Sequence, residues 1–142
     1  MMVLGFADYR AGAGAGRLAT RLGIAHAKVS IHRFSDGESR VALPPTLPER
    51  VIFCQSLNNP NEKLVELLLA AKTARHLGAK HLTLVAPYLC YMRQDMAFTP
   101  GEAVSQTIVG VWLGAWFDTV VTVDPPCIAS TRWSRQCHQP AP

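Results

Sequence analysis

Apolar positions in this chain come in short runs separated by glycine, proline and polar clusters, and the spacing within the runs alternates between strand and helix periods. Met2–Phe6 is a compact apolar run that reads as a first strand. Ala11–Gly16, AGAGAG, reads as a flexible, low-complexity turn. Arg17–Leu22 has helical spacing, with Leu18, Ala19 and Leu22 on one side and Gly23 as the stop. Val29–Phe34 alternates and carries β-branched residues, Ser35–Glu38 is turn chemistry, and Arg40–Leu43 resumes strand character, which predicts a hairpin. Pro44, Pro45 and Pro48 then break the chain, and Val51–Gln55 is a further strand. Asn58–Asn61 is a loop with Pro60 near a helix start, and Glu62–Leu77 is the strongest helix, lined by Leu64, Leu67, Leu68, Ala71 and Ala74 and ended by Gly78. Leu82–Ala86 is a buried strand stopped by Pro87. Gly101–Trp116 reads as a helix with Val104, Ile108, Val111, Trp112 and Ala115 on its apolar face. Thr119–Val123 is a nearly unbroken β-branched run, the pattern of a strand buried on both faces.

Strands alternating with helices predict an α/β domain of three layers around a mainly parallel sheet, with a projecting β-hairpin. Ligands of such sheets sit beyond the carboxyl ends of the strands, which points to the loops Gln55–Asn61, Pro87–Gly101 and whatever follows Asp124. Composition narrows the classes. With 142 residues, 49% apolar and 17% charged, the chain is long enough for one real core and too apolar for extensive disorder. The net charge of +4 is uneven, since Arg132 and Arg135 supply half of it in a tail without acids. No lysine-rich cluster interleaved with aromatics marks a nucleic-acid surface, and no apolar run is long enough to span a membrane. No secretory leader pattern opens the chain. Cys54, Cys90, Cys127 and Cys137 form neither a CxxC pair nor a disulfide framework, which fits a reduced, cytoplasmic protein.

Three constellations carry candidate chemistry. Phe34-Ser-Asp-Gly-Glu38 sets Asp36 and Glu38 around Gly37, where two carboxylates can accept from ribose hydroxyls or an adenine amino group; the plainer reading is a solvated hairpin turn. Pro87–Asp95 follows a strand directly. There Arg93 can hold a phosphate with its fork of donors, Gln94 can read a base edge, Asp95 can orient Arg93, and Tyr88 and Tyr91 can pack beside a ring; the plainer reading is a loop anchored by two aromatics with a surface Arg–Asp pair. Asp124 at a strand end can hold Mg²⁺ directly or through water, or can simply cap a loop. Gly12, Gly14 and Gly16 resemble a phosphate loop only loosely, because no GK[ST] follows. His26, His32, His76 and His81 lack metal-ligand spacing.

Taken together, residues from about Arg33 to Asp124 resemble ribose-phosphate pyrophosphokinases. The likeness rests on Phe34-Ser-Asp-Gly-Glu38, the helix with Glu66-Leu67-Leu68, Pro87-Tyr88 with Tyr91-Met-Arg-Gln-Asp95, and Val121-Thr-Val-Asp124. It implies transfer of the β,γ-pyrophosphoryl group of Mg-ATP to the C1 hydroxyl of ribose 5-phosphate. It implies that Arg93 and Gln94, with Asp95 in the same motif, bind ATP. It implies that Phe34, Asp36 and Glu38, around Gly37, reach ATP on a neighbouring subunit of a homo-oligomer. Asp124 would open the metal-binding stretch for Mg²⁺, and the fold would be of the phosphoribosyltransferase type.

The sequence departs from the family pattern at two places. Met96-Ala-Phe-Thr-Pro-Gly101 lacks the usual basic residue, and Pro125-Pro126 stands where a metal-binding histidine is expected. One base deleted from the first histidine codon of a family-like Asp-Pro-His-Leu-His-Arg-Ile yields Asp-Pro-Pro-Cys-Ile-Ala-Ser, the sequence of Asp124–Ser130. The expectation is therefore an N-terminal domain over residues 1–124, an irregular and out-of-frame tail over 125–142, no second domain, and no activity of the chain alone. Two other readings are a non-catalytic nucleotide-binding or regulatory subunit of a full-length synthetase, and a small phosphoribosyltransferase. Against the latter, no acidic pair followed by a Thr-Gly-rich phosphate loop occurs.

Overall fold

The computed structural model describes residues 1–6 and 11–123, with side chains from Gly14 onward in the second stretch. The elements are β1 (Met2–Gly5), α1 (Ala11–Leu22), β2 (Ala25–Lys28), β3 (Ser30–Arg33), β4 (Ser39–Ala42), β5 (Arg50–Cys54), α2 (Pro60–His76), β6 (His81–Ala86), α3 (Ser105–Trp116) and β7 (Thr119–Thr122). Five strands form one parallel sheet in the order β2-β1-β5-β6-β7, and β3 and β4 form a separate antiparallel hairpin. The expected α/β class with a parallel sheet and a hairpin is what the chain adopts.

Alternation along the strands sends successive side chains to opposite faces. Leu4, Val51, Phe53, Leu82, Leu84 and Val120 join the buried residues of α2 and α3 in the main core. Val3 and Cys54 meet Ala15 and Ala19 of α1 on the other face. These are the three layers. Phe53 sits between Phe6 and Phe117, with ring centroids 6.1 and 5.8 Å away.

The structure corrects several expectations. AGAGAG is the first half of α1, not a flexible turn. A Cβ on Gly5 would lie 2.6 Å from Ala15 Cβ, so the small residues there permit a close helix–strand approach. Within α1, Leu22 is exposed rather than on the packed side. β2 is an additional strand, paired to β1 at the sheet edge and mostly solvated. α3 begins at Ser105, because Gly101 is left-handed (φ 93°) and the Glu102 carboxylate accepts the Phe98 and Thr99 N–H groups in a turn. Its buried face is Gln106, Val109, Gly110 and Leu113, whereas Ile108, Val111 and Trp112 face solvent. β7 is buried on one face only: Val120 and Thr122 are buried, while Thr119 and Val121 are half-buried.

Candidate functional site

Two clefts open at the carboxyl ends of the strands. The smaller, about 240 Å³, lies where β6 and β7 end and is lined by Pro87, Tyr88, Leu89, Met92, Arg93 and Thr122 together with Val123. Leu89 and Cys90 are buried and anchor its loop, while Tyr88 and Tyr91 are exposed, so the aromatics are not the anchors. Tyr91 holds a left-handed conformation (φ 58°) and its hydroxyl donates to Asn61 Oδ1, which stitches this loop to the one after β5. The Leu57 N–H donates to the Tyr88 carbonyl at 2.9 Å in the same seam.

Arg93 is exposed at the cleft and available to an anion. Thr122, which lines the same cleft, is 6% exposed and its Oγ1 has no hydrogen-bond partner. A buried hydroxyl without a partner is costly and suits a site completed by a ligand. Gln94 Nε2 donates to Glu102 Oε2 at 3.4 Å, and the Gln94 carbonyl accepts the Gln106 N–H at the start of α3. The Glu102 carboxyl lies below its usual pKa, held there by the Thr99 side chain and by the Phe98 and Thr99 N–H groups. Asp95 is exposed, and among the described residues no hydrogen bond or ion pair joins it to Arg93, so it does not orient that side chain. Burial pushes the Cys90 thiol up to about 11, which keeps it protonated at neutral pH.

The hairpin tip stands apart. The Asp36 carboxylate accepts the Glu38 N–H at 3.1 Å, Phe34 N–H and Glu38 carbonyl close the turn, and Gly37 is left-handed. Phe34, Asp36, Gly37 and Glu38 are all exposed and none lines the Arg93 cleft. The hairpin base is fastened to its own chain: Ile31, Val41 and Leu43 pack on the core. Arg33 Nε and Nη2 donate to Glu66 Oε1 at 3.2 and 3.1 Å, its Nη1 pairs with Glu62 at 2.9 Å, and Ser39 Oγ donates to Glu66. Asp124 lies outside the described residues. Among the described residues no group of three or more His, Cys, Asp or Glu could hold a metal ion.

The larger cleft, about 860 Å³, lies over the ends of β1 and β5 and includes Gln55, Asn58, Asn61 and Lys63. The strand-end rule points to the Gln55–Asn61 loop that lines it, but no motif singles out Gln55 or Thr122, since what marks both is an orphaned oxygen in a buried position.

The family described as the N-terminal domain of ribose phosphate pyrophosphokinase matches residues 11–115. The chain belongs to that family. Ribose-phosphate pyrophosphokinases from Saccharolobus solfataricus and Methanopyrus kandleri are 43% and 39% identical over 107 and 109 residues, covering 73% and 76% of this chain. The chain spans only 37% and 38% of the length of those relatives. A crystal structure of phosphoribosylpyrophosphate synthetase from Mycobacterium smegmatis matches with a TM-score of 0.74 at 23% identity, over 96% of this chain and 45% of that one. It has the same fold, so the phosphoribosyltransferase-like architecture expected from the resemblance is the one the chain has. No helix among the described residues is long and apolar enough to cross a membrane.

Proposed function

We propose that this chain supplies the ATP-handling N-terminal part of a ribose-phosphate pyrophosphokinase. The observation that carries the reading is the cleft at the ends of β6 and β7, lined by Arg93 and by Thr122, whose buried hydroxyl has no partner. In the reaction, the ribose 5-phosphate C1 hydroxyl attacks the β-phosphorus of Mg-ATP, the bond to the α-phosphate oxygen breaks, and AMP leaves. Such transfers are catalysed chiefly by positioning and by neutralising phosphate charge. Arg93 neutralises a phosphate with its planar fork, Thr122 adds a hydroxyl, and Gln94 reads an edge of the base. Magnesium enters with ATP as substrate. The described residues assemble no metal site of their own, and Asp124 lies outside them.

Phe34, Asp36 and Glu38 complete the ATP site of a neighbouring copy, consistent with a tip that is exposed and reaches no site of its own chain. The partner is a second copy of the chain. Ile108, Val111 and Trp112 form an exposed apolar stripe on α3, with Val111 62% and Trp112 51% exposed, which fits self-association.

AMP release from ATP and ribose 5-phosphate tests the reading. The 142 residues alone should release none, since they span little more than a third of the relatives' length. Covalently joined to the remaining C-terminal portion of a relative they should become active, with Arg93→Ala abolishing the gain. Turnover by the 142 residues alone, or a joined chain that stays inactive while binding ATP as a non-catalytic subunit would, contradicts it.

A further inference from the structure

The Arg93 guanidinium meets no hydrogen-bond or ion-pair partner among the described residues. Its direction is therefore set by the backbone that carries it. That backbone runs between two tethers. Downstream, the Gln94 carbonyl accepts the Gln106 N–H at 3.2 Å in the first turn of α3, and Gln94 Nε2 donates to Glu102 Oε2 at 3.4 Å. Upstream, the Tyr91 hydroxyl donates to Asn61 Oδ1 in the first turn of α2.

The upstream tether coincides with backbone strain. Among the described residues only Asn59 and Tyr91 combine a side chain with a positive φ, and Tyr91 is the bulky one, at 58°. The left-handed conformation crowds the β-carbon against the following carbonyl, so a residue of this size keeps it only where its surroundings hold it there. Buried Leu89 and Cys90 fix the chain just before Tyr91, and Met92 packs on the core just after it. The Tyr91 ring itself is exposed, which leaves its hydroxyl bond to tie the side chain down. Return of Tyr91 to an ordinary negative φ would swing the ring and the following chain relative to each other. The bond to Asn61 and the direction of the chain into Arg93 are thus held or lost together. The loop does not need this bond to stay folded, because the Leu57 N–H also holds the Tyr88 carbonyl, at 2.9 Å.

We propose that Tyr91 is a positioning residue for the nucleotide site: its hydroxyl bond to Asn61 holds the backbone two residues before Arg93 and so aims the guanidinium into the cleft at the ends of β6 and β7. Tyr91 touches no nucleotide in this account and acts only through Arg93. The proposal rests on the reading that Arg93 holds a phosphate of ATP, and its test tells failure of the one from failure of the other.

The test titrates Mg-ATP by calorimetry into the wild-type chain, Tyr91→Phe, Asn61→Ala, the double variant, Arg93→Ala, and Tyr91→Phe added to Arg93→Ala. Tyr91→Phe and Asn61→Ala break one bond from its two ends, so each should weaken binding about three- to tenfold, the worth of one ordinary hydrogen bond, and the double variant should be no weaker than either. In the Arg93→Ala background Tyr91→Phe should change nothing further. Without any nucleotide, nitrogen-15 relaxation should show the Met92 and Arg93 amides more mobile in Tyr91→Phe than in the wild-type chain, at an unchanged melting temperature. Absence of ATP binding to the wild-type chain, or equal binding by Arg93→Ala, removes the nucleotide site and the proposal with it. Weakening by Arg93→Ala, with Tyr91→Phe and Asn61→Ala binding as the wild-type chain does, overturns the positioning role alone. Equal weakening by Tyr91→Phe with and without Arg93, the result for a direct contact between Tyr91 and ATP, overturns it as well. So does unchanged mobility at Met92 and Arg93, or a fall in melting temperature that accounts for the weaker binding.

Discussion

The loop that leaves β5 and the loop that leaves β6 end at the same edge of the sheet, yet they are built in opposite ways. The first runs only from Gln55 to Asn59 before Pro60 opens α2, and it is tied down by Lys63, which donates to the Ser56 carbonyl and to Asn58 Oδ1. The second runs from Pro87 to Val104, is held at its base by buried Leu89 and Cys90, and leaves Arg93 and Asp95 in solvent. In the first, Ser56, Leu57 and Asn58 are engaged by the protein itself. The second carries charge that awaits a ligand. Each has one orphaned buried oxygen beneath it, Gln55 Oε1 and Thr122 Oγ1. A motif therefore announces the loop with exposed charge, while the strand-end rule alone points to the other.

Removing the tie beside the first loop gives the largest expected effect. Glu66 is 1% exposed, whereas Arg33 is half exposed. Arg33→Ala strands a buried carboxylate and should cost about 3 kcal/mol in urea unfolding. Arg33→Ala combined with Glu66→Leu should recover most of that loss, because no unpaired charge stays buried. A loss below about 0.5 kcal/mol for the single variant, the level of an exposed pair, would mean that the hairpin base is not held to α2 as described.

Sharing between copies sharpens the contrast from the other side. Chains with Arg93→Ala and chains with Asp36→Ala should each bind ATP poorly. Mixed into hetero-oligomers, they should regain part of the binding, since one interface then holds an intact site. If hetero-oligomers form and nothing returns, the hairpin tip does not serve a neighbour.

Asp118 provides the smallest effect and a control at the opposite end of the sheet. It is bound by the Leu82 N–H at 2.7 Å and by Arg75 at 2.7 Å, with His81 at 3.7 Å. Burial raises its pKa, but the Leu82 N–H, Arg75 and His81 together outweigh burial and hold it below the usual 3.8. A depressed carboxyl stabilises the fold above its unfolded value and loses that contribution as pH falls through the folded value. With the side chain 37% exposed, solvent screening limits the contribution to about 1 kcal/mol or less. Asp118→Asn should show that loss at pH 6 and none well below pH 3.8, with ATP binding at the Arg93 cleft unchanged. Equal loss at both pH values would assign the effect to packing.

What the sequence made legible follows the strength of its local signals. α2 is plain because Leu64, Leu67, Ala71 and Ala74 repeat at helical spacing between Pro60 and Gly78. α3 is apolar nearly all round, so periodicity finds the helix and leaves its buried face undecided; Val109 and Leu113 face the core and Trp112 does not. β2, Ala-His-Ala-Lys, is an edge strand with little to bury and no alternation to detect. AGAGAG looks flexible in isolation, yet it opens α1, whose Ala15 packs against Gly5 of β1. The Arg93 motif was visible in the sequence because Arg93, Gln94 and Asp95 stand together after a strand. Gln55 and Thr122 carried no such signal, since a glutamine or threonine at a strand end is ordinary until its oxygen is seen to lack a partner.

The central claim is that Arg93 holds ATP phosphate at the cleft where β6 and β7 end. Calorimetric titration of Mg-ATP into the wild-type chain and into Arg93→Ala tests it directly. Loss of one charge-assisted interaction is worth about 1.5–3 kcal/mol, so the variant should bind roughly 10- to 150-fold more weakly while its melting temperature stays the same. Equal affinity for the two chains would remove Arg93 from the site and contradict the account.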